Sequence, residues 1–242
     1  MIKKNSGHLH EKKRTTLEKL EEFFSTSYKD EVFKILEKYP NERSITIDFN
    51  DLETFDHDLA ELLIEKPEEI IYVSQKAIKN IDPLVKDADI NIRIKNNPNK
   101  IDLNDINSRL IGKLITTNIH VSKLEDITPQ LKLGVFECRC CMRLHSVEQE
   151  VDDRMTEPVL CSECGSKSFR LLSQVSKYED MQIVKVDKSV NDSFPELFIL
   201  TDDLCGTLNE NDYLEVTGIL KVDVSKKSLS LYMIVNSVEV TF

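Results

Sequence analysis

Apolar positions recur every three or four residues over the first third of the chain and every second residue over much of the rest. In "TTLEKLEEFFSTS", Leu17, Leu20, Phe23 and Phe24 share one helical face. Thr15 or Thr16 is placed to cap that helix, with Glu18 or Glu21 in its first turns. A second helix over about Lys29 to Lys38 presents Val32, Phe33, Leu36 and Tyr39 before Pro40 ends it. "SITIDF" alternates Ile45, Ile47 and Phe49 as a short strand. "DHDLAELLIEKP" and "PEEIIYVSQKAIKNI" predict two more helices, with Asp56 and Pro67 at their starts. These stripes predict packing within a small helical bundle rather than a partner surface.

From about Asp89 the period changes. "INIRI" alternates Ile90, Ile92 and Ile94, and the polar "KNNPNK" then breaks the chain. Short β-like runs follow: "GKLITTNIHVSKL", "LKLGVFEC", "FRLLSQVSK", "MQIVKVDK", "LFILTD", "DYLEVTGILKVDV" and "LSLYMIVNSVEVTF". Many short strands with turn signals between them predict a closed or nearly closed β-barrel. A cysteine-rich segment interrupts the series after "LKLGVFE" and hands back at "FRLL", as an insertion projecting from the barrel would.

Composition narrows the class. The chain has 242 residues, 40% hydrophobic and 31% charged, with no apolar run long enough to span a membrane. The basic N-terminal stretch "MIKKNSGHLHEKKRTT" leads into no apolar segment, so it is not a secretory signal. A cytoplasmic, nucleoid-associated protein is expected. Net charge is −11 and neither half is basic overall, so contact with nucleic acid must rest on locally clustered lysines and arginines. With 6 glycines and no G-x-x-x-x-G-K-[ST] motif, the chain has no phosphate loop and is not expected to be catalytic alone.

Five of the six cysteines lie between Phe136 and Phe169. Cys138-x2-Cys141 and Cys161-x2-Cys164 are thiol pairs separated by 19 residues, the spacing of a four-thiolate structural zinc site. Gly165 suits the turn after the second pair; Met142 follows the first, which must turn without glycine. Cys140 could replace a neighbour, through a tighter loop, or be a spare thiol beside the site. His145 could be a fourth ligand, or an exposed histidine. Cys205 stands alone and is read as a small buried residue. Four thiolates leave no open coordination position, so the metal would supply folding energy to a small projection, roughly 10 kcal/mol or more, not catalysis.

A helical domain followed by a barrel interrupted by a zinc ribbon resembles the N-terminal region of minichromosome maintenance (MCM) replicative helicases, archaeal type. The likeness rests on "IGKLITTNIHVSKLEDITPQLKLGVFEC", "LCSECGS", "MQIVKVDK", "LTDDL", "NDYLEVTGIL" and "SITIDFNDLETFDHDLAELLIEKPEE". It covers about residues 16 to 240. It implies an α+β fold: a helical domain over 1–88 with a tail over 1–14, an oligonucleotide-binding (OB) barrel over 89–135 and 171–242, and a zinc-ribbon insertion over 136–170. The sequence departs from the family pattern at Ile119, at Asn211-Asp212 where Gly-Asp is usual, and at Pro195-Glu196 where Pro-Arg is common.

The same resemblance implies where DNA would bind. The hairpin over 219–236 carries Lys226 and Lys227 at its tip and would point into the channel of a hexamer, where six copies concentrate positive charge. Lys123 and Lys185 match basic positions on the family's single-strand-binding barrel face, with Arg170 and Lys188 as weaker candidates. Implied partners are single- and double-stranded DNA, further copies in a hexamer, double hexamer or helical filament, and an ATPase motor C-terminal to this region. The competing reading is a zinc-ribbon interaction module of the transcription or translation machinery that forms no ring. A zinc-dependent enzyme is disfavoured by the lack of an acid–base constellation.

Overall fold

The computed structural model describes residues 14–81, 88–149, 155–186, 195, 197–223 and 230–240. Among the described residues the first part of the chain holds five helices: α1 (Thr16–Ser27), α2 (Lys29–Lys38), α3 (Phe49–Phe55), α4 (His57–Glu65) and α5 (Pro67–Ile81). Thr15 caps α1 in a reciprocal box: its side chain accepts from the Glu18 N–H while Glu18 accepts from the Thr15 N–H. Leu20, Phe23 and Phe24 are fully buried, with Leu17 packed against them. Asp56 accepts from the Leu59 N–H at 3.0 Å to start α4, and Pro67 begins α5. Val32 is buried on α2, whereas Phe33 and Tyr39 are exposed, so that stripe is only partly core.

Helix α3 is absent from the sequence expectation. Its seven residues are too few to display a helical period, and it starts where the alternation of β1 (Ser44–Asp48) runs into Phe49. Asp48 makes the switch by accepting from the Asn50 N–H at 3.0 Å. The "INIRI" segment also differs. It forms β2 (Asn91–Lys95), which pairs in parallel with β1, Ile45 facing Ile92 and Ile47 facing Ile94, instead of opening the barrel series. One side of this two-stranded sheet meets the helices and the other meets the barrel. Three consecutive residues, Ile92, Arg93 and Ile94, are therefore buried.

The barrel strands are β3 (Leu114–Leu124), β4 (Thr128–Cys138), β7 (Lys177–Val186), β8 (Leu197–Thr201), β9 (Tyr213–Asp223) and β10 (Ser230–Val240). They run in the order β3-β9-β10-β8-β7, and β7 returns to β3 to close the ring. Strand β4 pairs with β7 outside that circuit and carries β5 (Leu144–Glu148) and β6 (Phe169–Leu171). Closure leaves an interior of Ile115, Ile119, Val121, Val184, Phe198, Leu200, Leu214, Val216, Leu220 and Met233. Ile119, at a position where the family usually has glycine, is one of these inward residues. At Gly218 the strands approach so closely that a Cβ would lie 2.5 Å from the Ile234 carbonyl oxygen. Among the described residues no helix is long and apolar enough to cross a membrane.

Candidate metal centre and nucleic-acid face

The cysteine segment grows out of β4. Cys138 is the last residue of that strand and pairs with Phe169 at the start of β6. Each C-x2-C pair closes a tight turn of the same build. The Met142 N–H donates to the Cys138 carbonyl at 2.9 Å, and the Gly165 N–H donates to the Cys161 carbonyl at 2.9 Å. Both turning residues are left-handed, Gly165 at φ 70 and Met142 at φ 61. The first turn therefore forms without glycine by placing a methionine where a side chain is disfavoured. Cys138 and Cys161 are buried with Phe136 and Phe169 in a small separate core, and Cys141 and Cys164 face out.

The four Sγ atoms of Cys138, Cys141, Cys161 and Cys164 all lie within 4.8 Å of one another. Cys138 approaches Cys164 at 3.6 Å and Cys141 approaches Cys161 at 3.5 Å. Metal–sulfur bonds of about 2.3 Å in a tetrahedron require sulfurs about 3.8 Å apart, so the donor set fits such an ion. Backbone N–H groups of Cys141 and Cys140 point at the Cys138 sulfur and lower its pKa to about 6, and those of Cys164 and Glu163 lower that of Cys161. Cys140 is exposed and outside the cluster. His145, expected to be exposed if not a ligand, is instead half-buried. Its Nε2 lies 3.3 Å from the Cys161 sulfur and its ring meets Phe169 edge-on. Cys205 is half-buried away from the site, its thiol 3.5 Å from the Leu200 carbonyl, and burial pushes its pKa up to about 11.

Of the predicted DNA contacts, Lys226 and Lys227 at the hairpin tip, and Lys188, lie outside the described residues. The hairpin's two strands are β9 and β10, with Asp223 opposite Ser230. Lys123 and Lys185 sit directly opposite each other where β3 meets β7. A bulge between Val121 and Lys123 shifts the pleat. Val121 faces the core before it and Leu124 packs on the core after it, so Lys123 points outward on the same side as His120. Lys185 pairs with Glu125 at 2.6 Å. Arg170, on the ribbon, is ion-paired to Glu137.

These strands also carry an aromatic pair that the sequence analysis does not single out. His120 and Tyr213 are cross-strand partners on β3 and β9, stacked with ring centres 4.3 Å apart and planes 28° from parallel. Tyr213 follows a turn in which Asn211 takes φ 72, a conformation asparagine tolerates and glycine adopts freely. That accounts for asparagine standing where the family usually has glycine.

Comparison with known proteins agrees with this architecture. Residues 11–112 match the family model described as the MCM N-terminal domain, and residues 102–223 match the MCM OB domain. The minichromosome maintenance protein MCM of Saccharolobus solfataricus is 27% identical over 223 residues, covering 82% of this chain and 32% of that protein. The DNA replication licensing factor MCM4 of Drosophila melanogaster is 27% identical over 183 residues, 70% of this chain and 21% of that protein. The chain thus spans less than a third of the length of either relative. A crystal structure of the N-terminal domain of an archaeal MCM superposes with a TM-score of 0.81 at 27% identity, covering 94% of this chain and 98% of that one.

Proposed function

Because this chain belongs to the minichromosome maintenance (MCM) family, we propose that it is the DNA-holding, ring-organising N-terminal region of a replicative helicase. In this reading it grips DNA in a central channel while an ATPase motor supplies the work. The observation that carries the reading is the closed barrel with Lys123 and Lys185 side by side on its outer face. Lysines there act as point charges on phosphate, so binding would be sequence-neutral and would weaken steeply with salt.

The four clustered cysteines would hold one Zn²⁺. The ion would supply fold stability to a segment whose own core, among the described residues, is four buried side chains. A Zn²⁺ ion held by four thiolates would carry a formal charge of −2 and would not itself attract phosphate, which fits the ribbon for contact with protein rather than DNA. Self-association to a hexamer would bring six hairpin tips together, so a net charge of −11 is compatible with a basic channel.

The reading is tested by mass photometry together with single-strand binding across a salt series. Assemblies of six or more copies and binding that falls with salt support it. Replacing both Lys226 and Lys227 with Ala should weaken binding, and Lys123→Ala with Lys185→Ala should weaken it further. A strict monomer at micromolar concentration whose DNA binding ignores these lysines would overturn it.

A further inference from the structure

The stacked His120–Tyr213 pair has no role in the barrel's core. Leu214 and Ile119 point inward beside it, whereas Tyr213 is 64% exposed. A cross-strand aromatic pair stabilises a sheet modestly, yet an exposed one leaves a broad π surface in water. Its setting is specific. Strand β3 lies between β9 and β7, so Tyr213, His120, Lys123 and Lys185 form a path across three adjacent strands on one outer face. Lys123 follows His120 by three residues, about 10 Å along an extended strand. Acidic groups near this path are engaged: Glu215 by Lys100 at 2.7 Å and Glu125 by Lys185 at 2.6 Å. The Asp212 carboxylate accepts from the Asn209 N–H at 2.7 Å, and that of Glu210 from the Leu124 N–H at 3.3 Å.

We propose that Tyr213, braced by His120, is a base-stacking platform that makes this face prefer unpaired strands. The proposal rests on the DNA-binding reading above and adds to it the chemistry of strand choice. A base in a duplex has both faces covered by its neighbours, whereas a base of a single strand can turn out and lie on a ring. Every base has a π face, so the platform is sequence-tolerant, and the two lysines, both on the β3–β7 side of the ring pair, hold phosphates on that side of the stacked nucleotide.

The test compares a fluorescent oligothymidylate with a strand of the same length made of abasic residues. Tyr213→Ala should weaken binding to oligothymidylate at least about fivefold, the effect of losing one stacked base, and leave the abasic strand unchanged. Tyr213→Phe should restore binding, and Tyr213→Leu, which keeps apolar bulk without a π face, should not. The chain has no tryptophan, so Tyr213→Trp introduces a single reporter. Its emission should be quenched by oligothymidylate and not by the abasic strand. Equal losses on both strands, no loss on either, or unchanged emission would overturn the platform. If the unaltered protein binds neither strand, the DNA reading falls and the platform falls with it. If it binds both and Tyr213→Ala changes nothing, the platform alone falls.

Discussion

The Arg93 guanidinium is ion-paired to the Asp203 carboxylate across the junction between the parallel β1–β2 pair and the barrel. Arg93 is only 8% exposed. It also donates to the Asn236 carbonyl at 3.0 Å, and Ser44 donates to Asp203 at 2.6 Å. Around this pair, Arg43 reaches Asp202 at 2.5 Å and Asn91 donates to the same carboxylate at 2.7 Å. Asn236 accepts from the Ile94 N–H at 2.7 Å and donates to the Ile92 carbonyl at 2.8 Å, closing a polar seam along β2 and β10. A buried charge is tolerated when its partners are this complete, and the seam fixes how the helical part sits on the barrel.

Arg93→Ala should therefore destabilise the protein by about 3 kcal/mol, because Asp203 is left partly buried without its counter-ion. The figure belongs at the low end of such losses, since a third of the Asp203 side chain meets solvent. Arg93→Lys should recover little, because an ammonium cannot span Asp203 and the Asn236 carbonyl at once. Urea unfolding monitored by circular dichroism measures both. A loss below 1 kcal/mol for Arg93→Ala would show the seam to be energetically idle.

Asp203 also predicts a pH response. Burial alone would raise its pKa, but the Arg93 and Ser44 hydrogen bonds outweigh it and hold the group below the usual carboxylate range. A carboxylate with a depressed folded-state pKa stabilises the fold fully above its unfolded pKa of about 4. That stabilisation is lost as pH falls through the lower folded-state value. Stability should therefore decline below about pH 4, and Asp203→Asn should make that decline shallower while lowering stability at neutral pH. Identical acid slopes for the two proteins would contradict the assignment.

Helices α1, α2, α4 and α5, the caps of α1 and α4 and the run of barrel strands could be read from the sequence because those signals are local. Thr15 with Glu18, and Asp56 before α4, each carry their meaning within four residues. The cysteine spacing is a local signal too, and the structure brings the sulfurs of those four cysteines together. What could not be read depended on what came to lie opposite. Arg93 sits in an alternating "INIRI" that looks half-exposed, and only the arrival of β10 on its open side buries it. His145 reaches Cys161, and Tyr213 reaches His120, through pairings set by the whole sheet. The bulge that turns Lys123 outward has no signature in "HVSK".

For the candidate metal centre, Cys164→Ser should abolish zinc binding and unfold the ribbon, whereas Cys140→Ser should retain both. Cys164 is one of the four sulfurs brought together and Cys140 is not. Metal content by mass spectrometry and protease sensitivity between Cys138 and Phe169 provide independent readouts. Loss of zinc on Cys140→Ser, with retention on Cys164→Ser, would reverse the ligand choice.

Met142 offers a sharper test of the same turn. Its φ of 61 costs a residue with a Cβ about 1–2 kcal/mol, and its side chain is 76% exposed, so removing it loses almost no packing. Glycine regains that strain but gives back about 0.5–1 kcal/mol through the greater freedom of the unfolded chain. The net gain for Met142→Gly is then about 0.5–1 kcal/mol, and folding and metal binding of the ribbon are coupled. Chelator competition should show Met142→Gly holding zinc about two- to fivefold more tightly than the unaltered protein. Met142→Val, whose branched side chain tolerates the left-handed region least, should hold it more weakly. The opposite ranking would mean that the methionine side chain, not the backbone turn, secures the first pair of ligands.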